Sequence, residues 1–94
     1  MAEILGSKVT VPARALVRPL PNDEAVVLNV ESEVYFGLNK TALMMWNALT
    51  SAPDVATAFA QLSDEFDVDA DRLRSDLEML VDDLVSRGLL ELID

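Results

Sequence analysis

The sequence contains no cysteine and no histidine. Without cysteine the chain can form neither a disulfide nor a thiol nucleophile, and without histidine it lacks the commonest general base and metal ligand of proteins. Ser-His and Cys-His catalytic arrangements are therefore excluded. Glycine is also scarce: Gly6, Gly37 and Gly88 lie too far apart to form a phosphate-binding loop. The inventory indicates a protein that is not an enzyme, and we expect no cofactor and no metal.

Basic residues are few as well. Seven Lys and Arg stand against seventeen Asp and Glu, which gives a net charge of −10. Because nucleic-acid-binding proteins gain most of their affinity by neutralising phosphates, this balance argues against DNA, RNA and anionic membrane surfaces as partners. Long apolar runs and a secretory signal are also lacking. We expect one cytoplasmic domain over residues 1–94, with residues 1–7 flexible.

The chain does contain several short runs of β type. Residues 8–18 alternate in part and are interrupted by a proline, which predicts an edge or bulged strand. A cluster of turn residues follows at positions 19–23. Residues 24–30 and 33–39 are apolar or alternating and are separated by two polar residues, so they predict a hairpin.

Three helical runs follow, because apolar residues recur at spacings of three and four. The residues expected to cap their N-termini are Asn39 or Thr41, then Asp54, then Asp69. We expect Trp46 in the core, Gly88 at the end of the third helix and a turn or short strand over residues 89–93. The order predicts an α+β fold, with a three-stranded antiparallel sheet followed by three helices, similar to a winged helix-turn-helix.

The third helix argues against DNA even on such a fold. In a winged helix-turn-helix this element enters the major groove and carries Lys and Arg. Here its polar positions include Asp76, Glu78, Asp82 and Asp83. These side chains would repel a phosphate backbone, so the architecture can be shared while the ligand differs.

Particular segments of the sequence resemble a known family. The run YFGLN at Tyr35–Asn39, with VLN at 27–29 before it and Trp46 after it, is similar to the PqqD-like family, also called RiPP recognition elements. The segments FDVD at 66–69 and RGLL at 87–90 agree, so the resemblance spans about residues 9–91. It is greatest to the free-standing proteins of lasso-peptide biosynthesis. The resemblance implies the fold above and a protein that binds the leader region of a ribosomally made precursor peptide and delivers it to a leader peptidase.

The resemblance also implies a binding site. In the family the leader adds as an antiparallel strand to the third strand of the sheet, in a groove walled by the third helix. On this chain the receiving strand consists of Val34, Tyr35, Phe36, Gly37 and Leu38. The wall consists of Arg72, Asp76, Met79, Leu80 and Asp83. The acids would hold a leader Lys or Arg, the apolar pair an apolar anchor, and Gly37 would admit a second backbone.

Other hypotheses stay open at this point. A PqqD-type chaperone would present its precursor to a radical-SAM enzyme instead of a peptidase. An acidic winged-helix regulator and a structural subunit that dimerises through a free strand edge are further candidates. Asp76 and Asp83 are also compatible with a solvated helix face, and Met79 with a core position.

Overall fold

The computed structural model describes residues 6–93. Their elements are β1 (Lys8–Thr10), β2 (Ala15–Leu20), β3 (Glu24–Asn29), β4 (Val34–Leu38), α1 (Lys40–Ser51), α2 (Val55–Glu65), α3 (Ala70–Ser86) and β5 (Glu91–Ile93). The central sheet has the order β2-β3-β4 and is antiparallel throughout, whereas β1 pairs with β5 in a separate antiparallel ribbon. The predicted order of a three-stranded antiparallel sheet followed by three helices is confirmed.

The N-terminal strand differs from the sequence prediction. Instead of one strand over residues 8–18, the chain forms β1, which leaves the sheet to pair with β5, and then β2. β2 continues through Pro19, for which the sequence predicts a turn. The proline is tolerated because β2 lies at the edge of the sheet, where a missing N–H breaks no ladder bond. The turn itself is shortened to residues 21–23.

The segment expected to be flexible comprises residues 1–7. Residues 1–5 lie outside the described residues, so the structure describes only Gly6 and Ser7 of this segment. There Ser7 is buried, with 5% of its surface exposed. Its carbonyl accepts a hydrogen bond of 2.9 Å from the Val55 N–H. Ser7 therefore contacts the start of α2.

The hairpin between β3 and β4 has a longer loop than the two residues expected. Residues 30–33 form it, and Glu33 adopts the left-handed conformation with φ of 62°. Asn29 organises the loop with both its backbone and its side chain. Its carbonyl accepts from the Glu33 N–H at 2.8 Å, and its Oδ1 accepts from the N–H groups of Glu31 and Ser32 at 3.0 and 3.2 Å.

Two of the expected N-caps form as predicted. Asn39 Oδ1 accepts from the Ala42 N–H at 2.8 Å, and Asp54 Oδ1 accepts from the Thr57 N–H at 2.8 Å. Hydrogen bonds from Thr57, chiefly from its side chain and then from its backbone, lower the pKa of the Asp54 carboxyl below its ordinary value. Asp69 precedes α3 but makes no side-chain capping bond, so this expected cap is wrong in that respect.

The core lies between the inner face of the sheet and the helices. Trp46 is buried, as predicted, with 4% exposed. The largest fully buried side chains are Leu38, Leu49, Leu62, Leu73, Leu77, Leu84, Leu89, Leu90, Val27, Val55 and Val81. Among residues 6–93, none of the helices combines the length and the apolar character needed to cross a membrane.

Candidate functional site

The central sheet has two edges, β2 and β4, because β3 lies between them. A hydrogen bond of 2.9 Å from the Val30 N–H to the Arg14 carbonyl shows which backbone groups of β3 face β2. Since these groups alternate along an antiparallel strand, the remaining residues of β3 bond to β4. The even-numbered residues of β4 therefore pair with β3. The N–H and C=O groups of Tyr35 and Gly37 point towards the open edge.

The side chains of β4 alternate between the two faces of the sheet. Val34, Phe36 and Leu38 lie on the helix side, where Phe36 is half-buried and Leu38 is 2% exposed. Tyr35 lies on the outer face and is 69% exposed. Gly37 shares that face, and a Cβ at Gly37 would meet no atom within 4 Å. At Tyr35 and Gly37 the backbone N–H and C=O groups therefore point to the open edge, and the side-chain positions lie on the outer face.

One side of α3 faces β4. The guanidinium carbon of Arg87, the residue after α3, lies 4.9 Å from the centroid of the Phe36 ring. Residues that precede Arg87 at helical spacings of three and four share its side of the helix. We call this side the α3 flank, and it comprises Arg72, Asp76, Leu80, Asp83 and Arg87, with Met79 beside them.

The other end of the α3 flank borders an open cavity of about 440 Å³. Arg72 and Asp76 line it from α3, and Thr41 and Met45 line it from the first turns of α1. Because α1 begins two residues after β4 ends, this cavity lies at the C-terminal end of β4. We infer that the β4 edge and the α3 flank bound one groove, which runs from Arg87 beside Phe36 to this cavity between α1 and α3.

The charges on the α3 flank occur in pairs. Arg72 Nε lies 3.7 Å from an oxygen of Asp76, and Arg87 Nη1 lies 3.5 Å from Asp83 Oδ1. The two carboxylate side chains are about half exposed, at 49% and 53%. Such exposed pairs contribute little stability, because water screens them. A charged side chain entering the groove can therefore replace one member of a pair at small cost.

The apolar members of the predicted wall take different positions. Met79 is 62% exposed, which makes it a surface residue rather than core filler. Leu80 is 8% exposed and packs in the core. The structure thus brings the predicted strand and the end of the predicted helix side into contact at Phe36 and Arg87. The role of each of these residues in binding stays a prediction.

Three residues to which the sequence assigned no role in the site hold the C-terminal end of α3 in place. Asn29 Nδ2 donates to the Arg87 carbonyl at 3.1 Å, and Arg14 Nε donates to the Gly88 carbonyl at 2.9 Å. These bonds hold the C-terminal end of α3 against the sheet. For Arg87 a signal was present, because it follows Asp83 by four residues and extends the predicted stripe by one turn.

The outer face of the sheet, away from the helices, is apolar and exposed. Leu16, Leu20 and Tyr35 are 42%, 45% and 69% exposed there. The face contains two charged residues, Arg18 and Glu24. By contrast, twelve of the seventeen acidic residues of the chain lie in residues 54–94. The low charge of this face is therefore unusual for so acidic a chain.

The described residues contain no cluster of three or more acidic side chains that could hold a metal ion. Within residues 6–93, every buried side-chain nitrogen and oxygen also has a hydrogen-bond partner. What the groove offers is therefore backbone hydrogen bonding along β4, an apolar floor and paired surface charges.

Comparison with known proteins identifies the family. No curated protein matches the chain. Among solved structures it is similar to "TbiB1 in Complex with the TbiA(beta) Leader Peptide", with a TM-score of 0.77 and 23% identity over 86% of this chain and 93% of that one. It is also similar to "Lasso peptide synthetase B1 complexed with the leader peptide", with a TM-score of 0.76 and 23% identity over 89% of this chain and 98% of that one. These likenesses support the fold. The family model described as coenzyme PQQ synthesis protein D (PqqD) matches residues 24–90, well over half of the sequence, and the chain therefore belongs to the PqqD family.

Proposed function

We propose that this chain binds the leader region of a ribosomally synthesised precursor peptide and delivers it to a leader peptidase in lasso-peptide biosynthesis. The observation that carries the proposal is the open β4 edge, with the α3 flank beside it. The two similar solved structures support it, because each is described as a complex with a leader peptide. The role is that of a non-catalytic binding protein in the cytoplasm.

Backbone hydrogen bonds supply the common part of the affinity. Tyr35 and Gly37 together offer two N–H donors and two C=O acceptors, so an added antiparallel strand can form four bonds with β4. A strand antiparallel to β4 enters at the cavity beside Thr41 and leaves at the hairpin of residues 30–33. The core peptide, which follows the leader, therefore emerges at the hairpin end.

Side chains on alternate positions of the leader supply specificity. Those that face the helices lie over Phe36, Met79 and the floor formed by Leu80, where apolar groups are favoured. A leader Lys or Arg can pair with Asp76 or Asp83 in place of the arginine that each contacts. The intervening side chains point to the outer face of the sheet.

Delivery requires a surface for the enzyme, and we place it on the outer face of the sheet. An added strand would widen this face by one strand and would carry its own outward side chains into it. An enzyme on this face would therefore contact both the protein and the peptide. Leu16→Asp with Leu20→Asp is expected to slow leader removal at unchanged peptide affinity, and faster or unchanged removal would contradict this assignment.

The family description favours one second candidate. A member of this family that serves coenzyme synthesis would present its precursor to a modifying enzyme of the radical-SAM class. The β4 groove would serve both functions in the same way. The genes beside the precursor gene distinguish the two functions: a peptidase gene favours the first candidate, and a radical-SAM gene favours the second.

Amide hydrogen exchange tests strand addition directly. We expect the Tyr35 and Gly37 amides to exchange rapidly in the free protein. Their exchange should slow at least about tenfold when the protein binds the leader of the precursor peptide encoded beside its own gene. The Val17 amide on β2 serves as the control and should not change. A bound leader that leaves Tyr35 and Gly37 unprotected would contradict the proposal.

A further inference from the structure

Arg87 occupies a defined place at the hairpin end of the groove. Its guanidinium lies over Phe36, and its Nη1 contacts Asp83 through the carbonyl at 3.1 Å and through Oδ1 at 3.5 Å. Its own carbonyl accepts from Asn29 Nδ2. An arginine held on both its main chain and its side chain is oriented before any ligand arrives, so less entropy is lost when it binds one.

The geometry of strand addition determines what meets Arg87. Tyr35 and Gly37 form the hydrogen-bonded pairs with an added strand, so the peptide residue opposite Phe36 is in a non-hydrogen-bonded pair. In such pairs the side chains approach most closely, and this one lies on the same face as Phe36. The side chain at this single peptide position therefore contacts the Phe36 ring and the guanidinium above it.

The guanidinium has unused hydrogen-bonding capacity. Both contacts to Asp83 come from Nη1, and the Nε and Nη2 groups have no partner within residues 6–93. The side chain is 38% exposed, so an incoming ligand can reach the guanidinium. Nε–H and Nη2–H form the planar fork that matches the two oxygens of a carboxylate.

We propose that Arg87 is a specificity-determining residue that recognises a carboxylate side chain, Asp or Glu, at the peptide position opposite Phe36. This inference rests on the proposed strand addition to β4. A chain of net charge −10 repels acidic peptides in general, so a preference for an acidic residue at one position needs a local cation. Arg87 supplies that cation where the peptide passes β4.

The test is a selection from a displayed library of random 15-residue peptides on the immobilised full-length protein. Peptides that also bind the Tyr35→Pro Gly37→Pro variant are discarded, which leaves those that need the β4 edge. We expect Asp or Glu to be enriched at one position of the aligned peptides. The same selection on Arg87→Glu is expected to enrich Lys or Arg at that position instead.

Matched variants separate the local effect from total charge. Arg74→Glu changes the net charge as much as Arg87→Glu but lies on a different side of α3, and it should leave the acidic preference intact. For one selected peptide, Arg87→Gln should weaken binding about tenfold, and the same change should have less than about a twofold effect when the peptide acid is replaced by its amide. Circular dichroism confirms that each variant is folded.

The outcomes separate this inference from the proposed function. Peptides that need the β4 edge but show no acidic position, or whose preference is unchanged by Arg87→Glu, overturn the role of Arg87 alone. If no peptide depends on the β4 edge, both proposals are wrong.

Discussion

The two edges of the central sheet differ in what they offer to an incoming strand. On β2 the outward positions are Ala15, Val17 and Pro19. The Ala15 N–H already donates to the Pro12 carbonyl at 3.0 Å, and Pro19 has no N–H at all. β2 is therefore left with one outward N–H, that of Val17.

The β4 edge is arranged in the opposite way. Both of its outward residues, Tyr35 and Gly37, keep their N–H groups, and the α3 flank lies beside them. An exposed strand edge is a hazard, because it can pair with any other chain. The chain therefore prevents strand pairing along most of β2. It leaves β4 open to pairing, on the side where a helix limits which peptides can enter.

The largest effect is expected from removal of the two outward N–H donors of β4. Tyr35→Pro with Gly37→Pro deletes both outward N–H groups without touching a bond to β3, so the fold should survive. We expect leader affinity, measured by fluorescence anisotropy, to fall at least about 100-fold.

The matched control is Val17→Pro, which deletes the outward N–H of β2. It should change the affinity by less than about twofold. Equal losses from the two edges would show that neither is the specific receptor.

The second test weakens the attachment of α3 to the sheet and leaves the N–H groups of β4 in place. Asn29→Ala removes the side chain that joins the hairpin loop to the end of α3 and leaves the N–H groups of Glu31 and Ser32 without that acceptor. We expect urea denaturation to show a loss of about 2 kcal/mol in the free energy of unfolding, and leader binding to weaken with it. Undiminished affinity in the folded variant would show that α3 need not be held in place.

A smaller effect separates the backbone of β4 from its side-chain positions. Gly37→Ala keeps the N–H and adds a Cβ into open space on the outer face. Because glycine within a strand is unfavourable relative to alanine, stability should rise by about 0.5 kcal/mol. Affinity should stay within about threefold, whereas a large loss would mean that the ligand needs the empty space of Gly37 itself.

The smallest effect should lie far from both edges and should depend on pH. Asp54 has a lowered pKa in the folded state, so its contribution is present above the unfolded-state pKa and is lost as the pH falls through the folded value. Asp54→Ala should lower the urea midpoint at pH 7, and the difference should shrink below about pH 4. Leader affinity at pH 7 should be unchanged, and a change would link α2 to the groove.

Local signals in the sequence were sufficient for much of the fold. The caps at Asn39 and Asp54 and the alternation in β3 and β4 depend on neighbouring residues, so they were predicted correctly. The division of residues 8–18 was not, because β1 pairs with β5 across nearly the whole chain. No local pattern predicts such a distant partner. Pro19 was predicted in a turn because proline is common in turns, but the edge of a sheet also accommodates it.

The site shows the same limit. The family resemblance predicts the strand and the helix side, and the structure brings them into contact at Phe36 and Arg87. Arg87 and Asn29 lie in segments that carry the family resemblance, but no role in the site was predicted for them. Their partners are distant in sequence: Arg87 contacts Phe36, and Asn29 bonds to the Arg87 carbonyl. Contacts between residues that are distant in sequence, rather than residue type, determine the roles of Arg87 and Asn29.

The ribbon of β1 and β5 has a consequence for how the chain can be joined to other proteins. Lys8 is directly opposite Ile93, so the Cα atoms of these two residues, which lie near the two ends of the described chain, are about 5 Å apart. A tether on either end would leave the molecule from the same place. The domain could thus be inserted into a loop of an enzyme, or have its ends joined and be opened elsewhere, while the order of strands in its central sheet stays the same.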